Sequence, residues 1–85
     1  MTLKVSKHLK LAETEFGAAM LDEKSGRYWQ LNPAAATIAR ALLDGGTPED
    51  AVRAVTDRFD VDDARASADV RNLVEAMRAA GVVRG

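Results

Sequence analysis

Apolar and polar side chains alternate along the first eleven residues, which predicts a β-strand with one buried face. The apolar positions of this strand share one parity: Leu3, Val5, Leu9 and Leu11. Polar residues occupy the other parity, and Lys7 interrupts the apolar row. Because this segment lacks the continuous apolar block of a signal peptide, the pattern argues against secretion.

Two further strands are predicted over residues 17–22 and 27–31, with a turn between them at residues 23–26. The turn ends in Gly26, whose backbone can take a positive φ. The third strand contains the only Tyr and the only Trp of the chain. We therefore expect a three-stranded antiparallel sheet with an aromatic strand at its end.

From Pro33 onward the apolar spacing changes to that of α-helices. Asn32 offers a capping side chain to the first helix, and Pro33 fits the first helical position. This helix is expected to end at Gly45 and Gly46. Thr47 then caps a second helix, which extends to Phe59 and carries acidic residues in its first turn.

A third helix is predicted to start within the acidic cluster at residues 60–63 and to end at Gly81. An apolar stripe runs along this helix, formed by Val70, Leu73, Val74 and Met77. The element order is then βββααα, an α+β fold in which three helices follow a small antiparallel sheet, similar to a winged helix-turn-helix. Eighty-five residues are enough for one domain, 1–85, but not for two.

The composition excludes several classes of protein. The chain has no Cys, so it forms no disulfides, thiolate metal sites or Cys nucleophile, as is typical of a cytoplasmic protein. No apolar run approaches the roughly 20 residues that span a bilayer, so no membrane partner is expected.

Catalytic and metal-binding arrangements are also missing from the sequence. His8 is the only His and falls on the exposed parity of the first strand, so no catalytic triad or metal set forms around it. The acidic cluster at residues 60–63 lacks the Gly and distant Glu of a calcium loop. Gly45 and Gly46 lack the Lys of a phosphate-binding loop. We therefore predict a binding protein rather than an enzyme, with no cofactor, metal or catalytic residue.

The charge is balanced overall but unevenly distributed. The net charge is −1 and the pI is about 5.7, so the chain has no general attraction for nucleic acid. All four lysines nevertheless lie within the first 24 residues: Lys4, Lys7, Lys10 and Lys24. They form either a solvated strand face or a mildly basic face for an acidic partner.

Two kinds of binding remain open from the residues alone. The helices could form a DNA-binding winged helix, but the arginines of the second and third helices alternate with carboxylates, which leaves little affinity from counterion release. Alternatively, an extended peptide could add to the free edge of the third strand and place side chains against the stripe of the third helix. The aromatic third strand favours the peptide.

The segment LDEKSGRYWQLNP at residues 21–33, followed by LLDG at residues 42–45, resembles the PqqD-like family. The resemblance extends over nearly the whole chain. Members of this family are RiPP recognition elements, which bind the leaders of ribosomally made, modified peptides. The closest likeness is to the stand-alone domains of lasso peptide biosynthesis clusters.

The resemblance implies a winged-helix-like βββααα fold without catalysis of its own, in which a leader adds to the third strand and packs on the third helix. By position, the peptide-binding residues would be Arg27, Tyr28, Trp29, Gln30, Leu31, Asp69, Val70, Leu73, Val74 and Met77. The implied partners are a precursor leader, a separate leader peptidase and, indirectly, a cyclase. A relative that assists a radical enzyme in pyrroloquinoline quinone synthesis shares the fold, so that pathway is an alternative.

Overall fold

Strands and helices follow one another in the order ββββαααβ in the computed structural model, which describes residues 3–84. Met1, Thr2 and Gly85, which the predicted domain 1–85 includes, lie outside the described residues. The elements are β1 (Lys4–Val5), β2 (Leu9–Thr14), β3 (Gly17–Asp22), β4 (Tyr28–Leu31), α1 (Pro33–Leu43), α2 (Pro48–Arg58), α3 (Asp63–Ala79) and β5 (Val83–Arg84). This arrangement confirms the α+β class and the three-stranded sheet followed by three helices.

The main sheet has the strand order β2-β3-β4 and is antiparallel throughout. Leu11 lies opposite Met20, and Met20 lies opposite Trp29, so these three side chains share the face turned towards the helices. The other face carries Leu21 and Tyr28, which are both exposed. The sheet is therefore covered on one side only.

The prediction of a single strand over the first eleven residues is wrong. The chain turns at Ser6, whose carbonyl accepts the Leu9 N–H at 3.1 Å and whose Oγ accepts the His8 N–H at 3.2 Å. Lys7 interrupts the apolar row because it lies in this turn. The segment before the turn, β1, leaves the main sheet and pairs antiparallel with β5 at the other end of the chain.

Side-chain caps define where the helices begin. Asn32 Oδ1 accepts the Ala35 N–H at 2.8 Å, as predicted for the first helix. Thr47 and Asp50 form a reciprocal capping box at the start of α2, with bonds of 3.1 and 2.9 Å. Asp62 caps α3 by accepting the Arg65 N–H at 2.8 Å. The direct transition from β4 into α1, without a connecting loop, thus follows from Asn32 and Pro33.

The core lies between the covered face of the main sheet and the three helices. α1 packs on β3, and α2 and α3 pack against each other. The largest fully buried side chains come from four elements: Met20, Ile38, Leu42, Val55 and Met77. Among residues 3–84, no helix is long and apolar enough to cross a membrane.

Candidate functional site

β4 forms an edge of the main sheet, since it pairs only with β3. At its start, the Asp22 N–H donates to the Arg27 carbonyl at 2.8 Å. Directly opposed residues of an antiparallel pair are alternately hydrogen-bonded and not, so Trp29 and Leu31 also bond to β3. The backbone N–H and C=O groups of Tyr28 and Gln30 therefore point away from β3. Two donors and two acceptors are presented along this free edge.

The side chains of β4 alternate between the two faces of the sheet. Leu31 is buried and Trp29 is half-buried against the core, whereas Tyr28, 64% exposed, and Gln30 lie on the open face. Arg27 precedes β4 and places its guanidinium 5.8 Å from the centre of the Trp29 ring, within the range of a cation–π contact. The five predicted strand residues are thus consecutive along one edge, but they face different surroundings.

A hydrogen-bonded turn fixes the start of β4. The Asp22 carboxylate accepts the Ser25 hydroxyl at 2.7 Å and the Lys24 N–H at 3.1 Å. The Ser25 oxygen in turn accepts the Arg27 N–H at 3.2 Å, and Gly26 takes a φ of +79°. The Ser25 hydrogen bond lowers the pKa of Asp22 below its ordinary value of 3.8, although burial opposes the shift. The spacing Asp-x-x-Ser before a Gly is the sequence signal for this anchor.

Gly17 fixes the other end of β4. Its φ is +146°, and a Cβ at this position would lie 2.0 Å from the Leu31 carbonyl oxygen. No side chain fits there without moving the end of the strand. The neighbouring Phe16 is 78% exposed at the tip of the β2–β3 hairpin. The sequence interpretation did not identify Gly17 or Phe16, because their role depends on the pairing of β3 with β4.

The five α3 residues predicted to line a groove do not share one environment. Val70, Val74 and Met77 are buried, and Met77 is only 1% exposed. Val70 and Val74 also line a cavity of about 340 Å³ between α2 and α3. Asp69 and Leu73 are half-buried and, being four residues apart, lie on the same flank of the helix. The structure therefore separates two accessible residues from three core residues.

α3 packs mainly on α2, α1 and β5, and β4 is not among its principal neighbours. On the flank of α3, Asp69 forms an ion pair with Arg65 at 3.7 Å, and Leu73 contacts the edge of the core. In residues 3–84, no group of three His, Cys, Asp or Glu side chains could hold a metal ion. The arrangement offers backbone groups and apolar surface, which are suited to an extended polypeptide.

Residues 17–83 match the protein family described as Coenzyme PQQ synthesis protein D (PqqD). Among solved structures, a lasso peptide synthetase B1 complexed with the leader peptide is 34% identical, with a TM-score of 0.78 and a match covering 98% of each chain. TbiB1 in complex with the TbiA(beta) leader peptide is 24% identical and has a TM-score of 0.81 over 96% of this chain and 95% of that chain, a likeness in fold. No curated protein gives a significant match. The family match includes β3, β4 and all three helices.

Proposed function

The chain belongs to the PqqD family, and on that premise we propose that it binds the leader segment of a ribosomally synthesised precursor peptide in lasso peptide biosynthesis. The leader adds as a strand to β4 and presents its side chains to the flank of α3. The observation that carries this proposal is the free edge of β4, in a chain 34% identical to a lasso peptide synthetase B1 complexed with a leader peptide. Strand addition uses the backbone groups of Tyr28 and Gln30.

The energetics of strand addition require apolar contacts as well. Four backbone hydrogen bonds contribute about 0.5–1.5 kcal/mol each, or about 2–6 kcal/mol in all. Micromolar affinity corresponds to about 8 kcal/mol, and ordering the peptide adds a further cost. In our proposal, Trp29 and Leu73 supply the missing contacts, because both are half-buried apolar side chains at the edge of the core. Arg27 and Asp69 complete the site, and Leu31, which is as buried as Val74, supports it from the core.

Val70, Val74 and Met77 take a supporting role in this proposal. They pack in the core next to Leu73, and the cavity that Val70 and Val74 line is bordered by α2 and α3 and by no residue of β4, so we assign them to holding Leu73 in position rather than to contacting the leader. Of the five α3 residues predicted to line the groove, only Asp69 and Leu73 then contact the leader in this proposal.

The chain itself performs no chemistry in this scheme. It raises the local concentration of the precursor at a separate leader peptidase, and a cyclase then acts on the released segment. Because ribosomal precursors are made in the cytoplasm, we place the chain there too.

Leader titration is the direct test. The probe is the fluorescently labelled leader of a precursor peptide encoded beside the gene for this chain, and the control is the same peptide with its residues scrambled. We expect saturable anisotropy with a dissociation constant of about 10 μM or tighter for the leader only. Lack of saturation at tens of micromolar, or equal binding of the scrambled peptide, would contradict the proposal.

A second candidate is a peptide chaperone for a radical enzyme of pyrroloquinoline quinone synthesis, which the match of residues 17–83 to the PqqD family favours. This role uses the same β4 edge with a different precursor. The two candidates are separated by titrating the precursor of each pathway in parallel. Tighter binding of the precursor of pyrroloquinoline quinone than of the lasso precursor would support the second candidate.

DNA binding receives no support from the helices. Two of the arginines on α3, Arg65 and Arg78, form ion pairs with Asp69 and Glu75 on the same helix. The remaining arginines of α2 and α3 alternate with carboxylates. A mobility shift at low salt tests this alternative, since even non-specific binding is strongest there.

A further inference from the structure

A second surface, distinct from the edge of β4, brings together basic residues from β1, from β5 and from the turns that precede β2 and β4. A cavity of about 280 Å³ lies where the β1–β5 pair meets the turn between β3 and β4. Its lining includes three permanent cations and the only His of the chain: Lys4, Lys24, Arg84 and His8. None of the residues of β4 lines this cavity. We call these four residues the basic patch.

The basic patch brings like charges together. Lys4 and Arg84 are directly opposed in the antiparallel pairing of β1 with β5, and both are exposed. Like charges in this position repel each other and destabilise the pairing. The three ion pairs found among residues 3–84 involve Arg40, Arg65 and Arg78, so none of them neutralises the patch.

One carboxylate, that of Asp22, also lines the cavity. Both of its oxygens already accept hydrogen bonds within the turn, from Ser25 and from the Lys24 backbone. Glu23, which is adjacent to Lys24 in the sequence, does not line the cavity. These hydrogen bonds keep Asp22 ionised, so it offsets one of the three permanent positive charges, and the lining of the cavity keeps an excess of positive charge.

We infer that the basic patch is a docking site for an acidic peptide segment of a partner protein. Charge complementarity identifies the occupant, since carboxylates along an extended segment can approach cations that are spread over two strands and a turn. The lining of the cavity also includes Val5, Val82 and Val83, whose apolar side chains suit the methylene stems of glutamates. A site of this size takes a few side chains and not a folded domain.

A long polyanion fits this surface less well than a short acidic segment. The whole chain carries 13 acidic and 12 basic residues, so a nucleic acid extending beyond the patch meets carboxylates. Two of the three permanent cations of the patch are lysines, which act as point charges and lack the planar fork with which arginine binds a phosphate in a bidentate manner. The surface therefore favours a peptide.

The test uses labelled hexaglutamate as the probe and hexaglutamine as its neutral match. Binding to the full chain is followed by anisotropy and by amide chemical shifts. The variant K4Q/K24Q/R84Q removes three charges from the patch, and R53Q/R58Q/R71Q removes three exposed charges from α2 and α3 as the matched control. Circular dichroism verifies that both variants fold.

We expect saturable hexaglutamate binding that shifts the amides of Lys4, Lys24 and Arg84. The patch variant should weaken this binding about tenfold or more, and raising the salt from about 0.05 to 0.3 M should weaken it further. The control variant should bind as the parent does. Absence of saturation, equal binding of hexaglutamine or an equal loss in both variants would overturn the inference.

Two further measurements distinguish the basic patch from the leader site and from a site for phosphate groups. Leader binding should be unchanged in the patch variant, because no patch residue lies in β4 or α3 and K24Q keeps the Lys24 backbone N–H that anchors the turn; loss of leader binding would assign the patch to the leader site instead. Inorganic phosphate or a single-stranded oligonucleotide should compete poorly. Competition by either at the concentrations of hexaglutamate would overturn the choice of a peptide.

Discussion

At the residue scale, the position of β4 depends on a glycine outside it. Gly17 holds its backbone against the Leu31 carbonyl, where no Cβ fits. Gly17→Ala should lower the free energy of unfolding by about 3 kcal/mol or more, because it adds a clash to an unfavourable φ. Urea denaturation measures this loss.

Gly26→Ala is the matched control, since Gly26 also has a positive φ but has no atom within 4 Å of its added Cβ. We expect it to cost about 1–2 kcal/mol, the backbone strain alone. Equal losses at the two positions would show that the contact with Leu31 does not matter.

A pH-dependent contribution also resides in single residues. Because the pKa of Asp22 is lowered in the folded state, its ionised carboxylate stabilises the fold. That contribution is fully present above the ordinary value of 3.8 and is lost as the pH falls through the lowered pKa. Ser25→Ala removes the main cause and should raise the pKa of Asp22, as followed by NMR titration of the carboxyl carbon.

Ser67→Ala serves as the control because Ser67 lies on α3, away from the turn. It should leave the pKa of Asp22 unchanged. If Ser25→Ala also left it unchanged, the hydrogen bond from Ser25 would not be the cause of the shift.

At the scale of elements, β4 can be tested through one backbone donor. The N–H of Gln30 points to the free edge, so Gln30→Pro removes a donor from the proposed leader site without breaking a bond to β3. Leader affinity should fall about tenfold, as measured by the anisotropy titration. Gln30→Ala keeps the donor and should keep the affinity. A similar loss in both variants would point to the side chain rather than the backbone.

The flank of α3 is a separate element of the proposed site. Leu73→Arg places a charge against the apolar side chains of the leader and should weaken binding about tenfold or more while the fold persists. Ala79→Arg adds the same charge to an exposed position of α3 and should not change the affinity. Met77→Arg is unsuitable as a test, because Met77 is in the core and its replacement would unfold the chain.

Local signals explain which elements could be predicted from the sequence. Helix caps depend on neighbours three residues away, so Asn32 and Thr47 identified the starts of α1 and α2 correctly. The break at Ser6 could not be found in this way, since β1 pairs with β5 at the opposite end of the chain. Apolar and polar side chains alternate in the same way whether residues 3–11 form one strand or are divided between two sheets, as β1 and β2 are.

The same limit applies to the candidate site. The edge strand was predicted over residues 27–31 and is found at Tyr28–Leu31, but the outward groups of Tyr28 and Gln30 follow only from the register with β3. On α3, the apolar stripe does not tell which flank turns away from α2. Leu73 and Met77 are both large apolar residues of the same stripe, four positions apart. Only the packing of the helices shows that Met77 is completely buried and Leu73 is not.

At the scale of the whole molecule, the β1–β5 pair joins the two ends of the described chain. Val83 is buried and lies opposite Val5, so Val83→Ala should lower the free energy of unfolding by about 1–3 kcal/mol. Arg53→Ala, an exposed change on α2, should cost less than about 0.5 kcal/mol. Thermal denaturation compares the two, and equal melting temperatures would contradict a structural role for the pair.

The backbone groups of an uncovered strand do not by themselves distinguish a leader from any other extended backbone. The outward groups of Tyr28 and Gln30 could also pair with a second copy of β4, so in our proposal self-association and leader binding compete for one edge. We therefore expect concentrated protein without leader to aggregate and a saturating concentration of leader to prevent this. The solubility of the protein would then report how much of the β4 edge is occupied by leader.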